Sequence, residues 1–270
     1  MPFFISWGQT MAQTVADIRA RLASVDAKEF AVLERSLMAD TRKGVQQALE
    51  QTRRRLKAEQ EEQKRLELLY AFERELAQGK LVVGLDEVGR GPLAGPLTVG
   101  AVVLNPEAPY IVGLNDSKQV PESHRCALAE AIKTSALAWA VVDIAPEIID
   151  EQGMGACLRQ AFSEALHQIE QQGVIPEVVL IDGNPLHIDP RELNVIKGDA
   201  RCASISAASL LAKVSRDAEM VAYDAVYPGY DFASSKGYGS ARHRAAIQEK
   251  GLTPIHRVSF CQNFLQESLF

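Results

Sequence analysis

No stretch of this 270-residue chain approaches the ~20 consecutive apolar residues that a helix needs to cross a bilayer, so no membrane contact is expected. Cysteine is scarce. Cys126, Cys157, Cys202 and Cys261 lie far apart with no C-x-x-C pair, which argues against a zinc module or a disulfide framework and suits a reducing cytosol. Strong charge of one sign is absent too: the net charge is -6, so no global basic field announces a nucleic-acid partner. The opening MPFFISWGQT has no basic flank and only a stub of apolar residues, which excludes a secretory signal. Met11 offers a second start that would leave those ten residues without structural meaning. There is no internal repeat and no low-complexity tract. What remains is 47% apolar and 24% charged, an ordinary globular composition that excludes a disordered or fibrous chain. At roughly 100–200 residues per domain, the length allows one large domain or one domain with a smaller module.

The charge that is present is unevenly spread. Residues 1–80 hold fourteen Lys/Arg and twelve Asp/Glu, net +2, and the rest of the chain is net -8. The first section also has its own texture. Thr14 stands three residues before Asp17 in a capping-box pattern, and Ile18, Leu22 and Val25 follow at helical spacing. Leu33, Leu37 and Met38 suggest a second short helix. Val45 to Gln78 then runs without Gly or Pro and is rich in strong helix formers. Arg53–Lys64 within it is almost wholly polar, so no apolar heptad is sustained and a long coiled coil is not expected. Arg53-Arg54-Arg55 reads either as a DNA-contacting face or as a solvated one, and its mixed-sign surroundings favour the latter. Residues 1–79 are expected to form a helical N-terminal extension.

From Leu81 the pattern is α/β. Leu81–Leu85 and Leu97–Leu104 read as strands, Ser123–Ala138 as a helix and Trp139–Ile144 as a third strand. A helix fits Gly155–Gln171. Val178–Ile181 is a fourth strand ending in the turn Asp182-Gly183-Asn184-Pro185, Leu193–Ile196 is a further short run, and Ser204–Tyr223 has helical spacing. Strands alternating with helices give an α/β domain over 80–270.

Two of these strands end in acid. Asp86 and Glu87 follow Leu85, and Asp182 follows Ile181. A solvated acidic turn would explain one such strand, but the repetition points to one sheet edge, where α/β folds place their active sites. Asp199, in Lys197-Gly198-Asp199-Ala200 before a helix, is a third candidate position. Carboxylates without a matching His or Cys set call for a hard cation with oxygen ligands, Mg²⁺ or Mn²⁺ rather than zinc. Two such ions about 3.5–4 Å apart clamp the attacking and leaving oxygens of a phosphodiester. Gly89-Arg90-Gly91 follows the acidic pair directly and suits a phosphate cradle, since glycines let backbone N–H groups approach an anion. Lys236–Arg257 holds five Lys/Arg against one Glu, with Tyr238 among glycines, a pattern for stacking on a base or sugar.

Together these residues resemble the bacterial ribonuclease HII family. The resemblance runs through Leu85-Asp86-Glu87-Val88-Gly89-Arg90-Gly91-Pro92-Leu93-Ala94-Gly95-Pro96, Asn115-Asp116-Ser117-Lys118, Ile181-Asp182, Lys197-Gly198-Asp199-Ala200, Ser204–Ser209, Ala212-Lys213-Val214 and Arg216-Asp217. It closes with Tyr227-Pro228-Gly229-Tyr230, Lys236-Gly237-Tyr238-Gly239 and Thr253-Pro254-Ile255-His256-Arg257, so it spans about residues 81–260 in the family's order. It implies a ribonuclease H-like mixed five-stranded sheet flanked by helices, with a C-terminal helical part. It also implies an endonuclease that cuts 5′ of a ribonucleotide, in RNA–DNA hybrids or at single ribonucleotides embedded in duplex DNA, with a repair role and a monomeric state. Carried over by motif, Asp86, Glu87, Asp182 and Asp199 are the catalytic metal ligands for two divalent ions. Gly89, Arg90 and Gly91 sense the 2′-OH and adjacent phosphate, Lys118 sits near the scissile phosphate, and Tyr238 stacks on the next deoxyribose. The first section resembles the extension of Gram-positive members.

The chain departs from the family at Ile149-Asp150-Glu151-Gln152-Gly153-Met154, where Gly153 replaces an Asn at an expected helix start, and at Asn184-Pro185. Leu186 stands where the related ribonuclease HIII carries its fourth acid close to the third, which favours type HII. Asp217 reads as an ion-paired helix end more than an outer ligand, and His187 as a surface residue. Packing explains His256 as well as catalysis does, and Lys213 and Arg216 either reach phosphate or pair with Asp217. Two other functions stay open: a nuclease or recombinase of the same fold acting on DNA, and a catalytically silent nucleic-acid-binding protein.

Overall fold

The computed structural model describes residues 13–266, with side chains described to Gln262; the MPFFISWGQT opening and Met11 fall outside them. The chain divides into two compact units between Arg65 and Leu66.

The first unit is helical. α1 (Val15–Ser24) starts at Thr14, whose side chain and Asp17 form a reciprocal capping box. α2 (Ala27–Leu37) has a second capping box, Asp26 with Glu29, so it begins earlier than its apolar positions alone suggest. α3 (Lys43–Leu76) is a single 34-residue helix whose last turns, from Leu66, belong to the second unit. Ile18, Leu22, Val25, Phe30, Leu33, Val45, Ala48 and Leu49 make the first unit's core. Arg54 lies on the outer face, where it pairs with Glu50, and Arg53 pairs with Glu34 and Glu50. Arg55 differs, donating to the carbonyl of Val25 at 2.8 Å and so tying α3 to the end of α1.

The second unit is built on β1 (Val82–Val88), β2 (Leu97–Leu104), α4 (Glu122–Ser135), β3 (Ala136–Ile144), α5 (Pro146–Gln152), α6 (Met154–Gln171), β4 (Val178–Asp182) and β5 (Glu192–Val195). A 3₁₀ turn at Gly198–Ala200 leads into α7 (Ala203–Val226), and α8 (Phe232–Ser235), α9 (Ala241–Lys250) and α10 (Val258–Gln266) complete the described chain. The five strands form one mixed sheet in the order β3-β2-β1-β4-β5, antiparallel from β3 to β1 and parallel from β1 to β5. The expected α/β architecture with a C-terminal helical part is the one observed. One boundary moved. Helix was expected to Ala138, but β3 takes over at Ala136, because pairing with Leu104 and Val103 of β2 overrides the helix preference of a Ser-Ala-Leu-Ala stretch.

Strand periodicity assigns the two faces. Val83, Leu85, Val99, Ala101, Val179 and Ile181 face α6 and pack on Cys157, Ala161, Phe162 and Ile169. Val82 and Leu180 pack on Ile205 of α7, and Val102 packs in the cluster around Ala207 and Ala208. α7 presses unusually close. A Cβ on Gly84 would lie 2.3 Å from the Ser204 and Ile205 backbone, and one on Gly100 2.2 Å from the Ala208 carbonyl oxygen. Any side chain there would push the helix off the sheet. Gly153 (φ +79) ends α5 and opens α6 in a left-handed conformation with no side-chain cap, so the missing Asn is replaced by backbone freedom.

Candidate active site

The parallel pairing of β1 with β4 ends at Leu85 and Ile181, and the next residue on each strand is Asp86 or Asp182, side by side. Asp86 is only 6% exposed, on the α7 side of the strand. The close seating of α7 on Gly100 delivers Ser209, whose hydroxyl hydrogen-bonds the Asp86 carboxylate; Ser117 Oγ lies 3.0 Å from Ser209 Oγ. The backbone N–H of Glu87 also donates to Asp86 at 2.8 Å. These donors do not offset the environment. Burial first, then the neighbouring Glu87 and Asp182 charges, push the Asp86 carboxyl up to about 8.

The other acids share this edge. Glu87, half-buried, is raised by burial and by Asp182, against the opposing pull of Arg90, whose Nη1 donates at 3.2 Å. Asp182 Oδ1 accepts from the N–H of Gly198 at 2.6 Å, which pins the 3₁₀ turn to the end of β4. Asp199 follows on that turn, its carbonyl held by Ser206 Oγ at 2.6 Å. Its carboxyl is raised by burial and by Asp182 and Asp116, with Lys118 Nζ at 3.7 Å opposing. Burial pulls Lys118 down, but Asp116, Asp199 and Asp86 outweigh it and hold the amine above its ordinary value. The four carboxylates and Lys118 therefore sit within reach of one another's fields. Among the described residues, no three acidic, His or Cys side chains are gathered closely enough to hold an ion as they stand.

The turn after β1 lies beside this edge. Gly89 (φ +93) is buried, and a Cβ there would be 2.4 Å from Arg216 Nε, so a side chain is excluded on both conformational and steric grounds. Arg90 and Gly91 are exposed. A Cβ on Gly91 would lie 3.9 Å from Cε1 of Tyr238, a residue 47% exposed, so the turn and the aromatic form one surface. Behind Tyr238 runs a buried chain of hydrogen bonds. The Thr253 N–H donates to His256 Nδ1 (2.9 Å), His256 Nε2 meets His243 Nε2 (3.0 Å), and His243 Nδ1 meets the Tyr238 carbonyl (2.8 Å). The Thr253 N–H donor at one end and the Tyr238 carbonyl acceptor at the other fix the tautomers, with hydrogen on His256 Nε2 and His243 Nδ1. Burial and then His243 push His256 down to about 4. His256 packs and orients, and does not face the acids. Asp217 is ion-paired with Lys213 (2.8 Å) and Arg125 (3.8 Å), His187 is exposed, and Arg216 is buried against backbone carbonyls.

Two family models match the chain, "Ribonuclease HII" over residues 83–263 and "Ribonuclease HII N-terminal domain" over residues 14–77. The chain belongs to the ribonuclease HII family. It is a ribonuclease H enzyme, an endoribonuclease. A curated ribonuclease HII of Listeria monocytogenes serotype 4b is 44% identical over 252 residues, 93% of this chain and 95% of the relative. Among solved structures, ribonuclease H2 of Pyrococcus horikoshii OT3 is 25% identical at a TM-score of 0.61, covering 70% of this chain and 98% of its own. Bst-RNase HIII, solved with Mn²⁺, is 19% identical at a TM-score of 0.57, covering 76% and 73%, and shares the fold. No helix among the described residues is long and apolar enough to cross a membrane.

The contacts of Ser209, Ser117, Glu73 and Arg257 around this edge and turn were not foreseen from the sequence. Glu73 is buried and accepts from Ser204 N–H (2.7 Å) and Oγ (2.6 Å), placing a carboxylate at the start of α7. One sequence signal was available: Ser204, Ser206 and Ser209 fall among Ala and Leu in a helix that buries all three.

Proposed function

We propose that this ribonuclease cleaves the phosphodiester 5′ of a ribonucleotide, in RNA–DNA hybrids and at single ribonucleotides in duplex DNA, leaving 5′-phosphate and 3′-OH ends. The observation that carries the reading is the convergence of Asp86 and Asp182 on one edge, with Asp86 pushed up to about 8, beside the exposed Arg90-Gly91-Tyr238 surface. A cluster of carboxylates repels phosphate unless a cation joins it. The donor set is all oxygen, which fits Mg²⁺ or Mn²⁺. Asp86, Glu87, Asp182 and Asp199 would hold two such ions, which when bound supply a deprotonated water and neutralise the leaving oxygen. The chain's own residues do the rest. Lys118 places a cation beside Asp199 for the scissile phosphate, Ser209 orients the Asp86 carboxylate, and backbone groups of Gly89-Arg90-Gly91 offer the fixed donors and acceptors that a 2′-OH test needs. Tyr238 stacks on the following deoxyribose and favours an RNA-to-DNA step.

The helical extension adds duplex affinity in this reading. Its boundary with the catalytic part matters for any deletion, because Leu66, Leu69 and Glu73 are buried in the second unit. Removing residues 1–65 is expected to raise KM with little change in kcat, and an unchanged KM would refute the role.

The deciding experiment is cleavage of a labelled DNA duplex carrying one ribonucleotide, with Mg²⁺, Mn²⁺ or EDTA, beside an all-DNA duplex and an Asp86→Asn variant. One metal-dependent cut 5′ of the ribonucleotide, absent from both controls, is the expected result. Cutting of the all-DNA duplex would instead support a DNA nuclease of the same fold, and binding without cleavage when Mg²⁺ is supplied a silent binding protein.

A further inference from the structure

Arg216 and Arg257 are both 0% exposed, and among the described residues neither makes a salt bridge. Charged side chains are almost never so buried without an ionic partner. Theirs is the backbone. Arg257 donates from Nη2 to the carbonyls of Gly89 (2.6 Å) and Gly95 (2.8 Å), from Nη1 to Arg90 (3.1 Å) and Pro92 (3.1 Å), and from Nε to Gly95 (3.0 Å). All five guanidinium N–H groups are used. Arg216 donates to Pro96 (2.9 Å), Ala94 (3.1 Å) and Lys236 (2.9 Å). The Leu93 carbonyl accepts from the backbone N–H of Arg257 at 2.8 Å. One stretch, residues 89–96, thus turns most of its carbonyls inward onto two cations.

A planar trans peptide points the N–H of the next residue opposite to its C=O. Drawing the Gly89 and Arg90 carbonyls onto Arg257 therefore aims the N–H groups of Arg90 and Gly91 the other way, toward the surface that Tyr238 shares. Among the described residues neither N–H has an acceptor. Each peptide is also polarised by the cation on its oxygen, which strengthens its N–H as a donor.

We propose that Arg216 and Arg257 are positioning residues for recognition of the ribonucleotide. Arg257 orients the 89–91 peptides so that two N–H groups face the nucleic-acid strand, and Arg216 holds the return at 94–96 and the Lys236 carbonyl at the root of Tyr238. The inference rests on the reading above that Gly89-Arg90-Gly91 contacts the ribonucleotide. Packing alone does not call for arginine, because an apolar side chain fills the volume without the desolvation penalty of a buried cation. Lysine cannot substitute, since a point charge on a flexible stem cannot hold four carbonyls in one plane.

The test is Arg257→Lys in the full chain, checked for fold by circular dichroism and thermal melting. In one assay with Mg²⁺, KM is measured on the single-ribonucleotide duplex and Ki for an all-DNA duplex as competitor. The expected result is a KM raised about tenfold or more, as for loss of a fork of charge-assisted hydrogen bonds, with Ki changed less than twofold. An unchanged ratio of KM to Ki, or an equal loss on both, overturns the proposal. Should the variant fail to fold, amide hydrogen exchange on the unaltered protein decides. Arg90 and Gly91 N–H must gain protection with the ribonucleotide duplex and not with all-DNA; equal or no protection overturns it. A wild-type protein that fails to prefer the ribonucleotide duplex refutes the functional reading instead.

Discussion

Two clusters of charge flank Gly89, one partly and one wholly buried, and they are resolved in opposite ways. On one side Asp86, Glu87, Asp182 and Asp199 press like charges together with too few donors, and the strain shows as an Asp86 carboxyl held up at about 8. On the other side two guanidinium groups lie deeper still, yet backbone carbonyl oxygens answer them, all but that of Lys236 from a single loop, and Arg257 is met at every N–H. Burial lowers both arginines, Arg257 to about 10, with Arg216 adding to the effect, so the cation persists at neutral pH. The difference separates two kinds of buried charge. The acidic cluster is incomplete by itself and suited to gaining and losing a ligand. The basic cluster is complete and suited to fixing a shape.

The largest effect should come from Asp86→Asn, which removes charge from the incomplete side. Cleavage should fall by at least about 10³-fold, roughly 4 kcal/mol of barrier, while the protein melts at a higher temperature in EDTA. The sign follows from linkage. Asp86 has a folded value above its unfolded one, so its contribution is present at low pH and lost as pH rises through about 8. In EDTA the wild-type melting temperature should decline toward alkaline pH and the variant should not follow. A variant that melts lower at pH 8 would break the contrast between the clusters.

An intermediate effect is expected behind Tyr238. His256 is held neutral and pushed down to about 4, below the roughly 6.5 of an unfolded chain. The unfolded state therefore binds the proton more tightly, and stability is lost as pH falls from about 6.5 toward 4. The cost is a few kcal/mol at most. Melting curves between pH 7 and pH 5 should show the decline, and His256→Asn should flatten it. The two sides of the turn thus limit stability from opposite ends of the pH scale. The smallest effect sharpens the comparison by removing burial. Arg54→Ala on α3 breaks a pair whose arginine is 79% exposed, and stability should shift by no more than about 0.5 kcal/mol, read as a melting shift of about 2 °C or less.

Much of the site was legible because its signals are local. An acid that follows an apolar strand run is visible in Leu85-Asp86 and Ile181-Asp182, and the Thr14–Asp17 capping box is visible for the same reason. Residues whose partners are distant were not. Arg257 meets the Gly89 carbonyl across 168 positions, and Arg216 meets Pro96 across 120, with no complementary side chain to search for. A backbone oxygen leaves no trace in composition, so Arg216 read as a phosphate contact or a partner of Asp217. Ser209 was hidden similarly, since its meaning depends on how close α7 comes to Gly100. The end of α4 was missed for a third reason: Ser135 to Ala138 suits a helix, and only the neighbouring strand decides otherwise.

That close approach governs how the catalytic edge comes apart. At Gly84 and Gly100 the helix and sheet backbones touch, so at those two points no side chain lies between them that could loosen by degrees. Heat or denaturant has no partial opening to exploit there. The amides of Ser204 to Ser209 should exchange with solvent at the pace of global unfolding, and the acid cluster should vanish in one cooperative step, at the same denaturant concentration as the sheet itself.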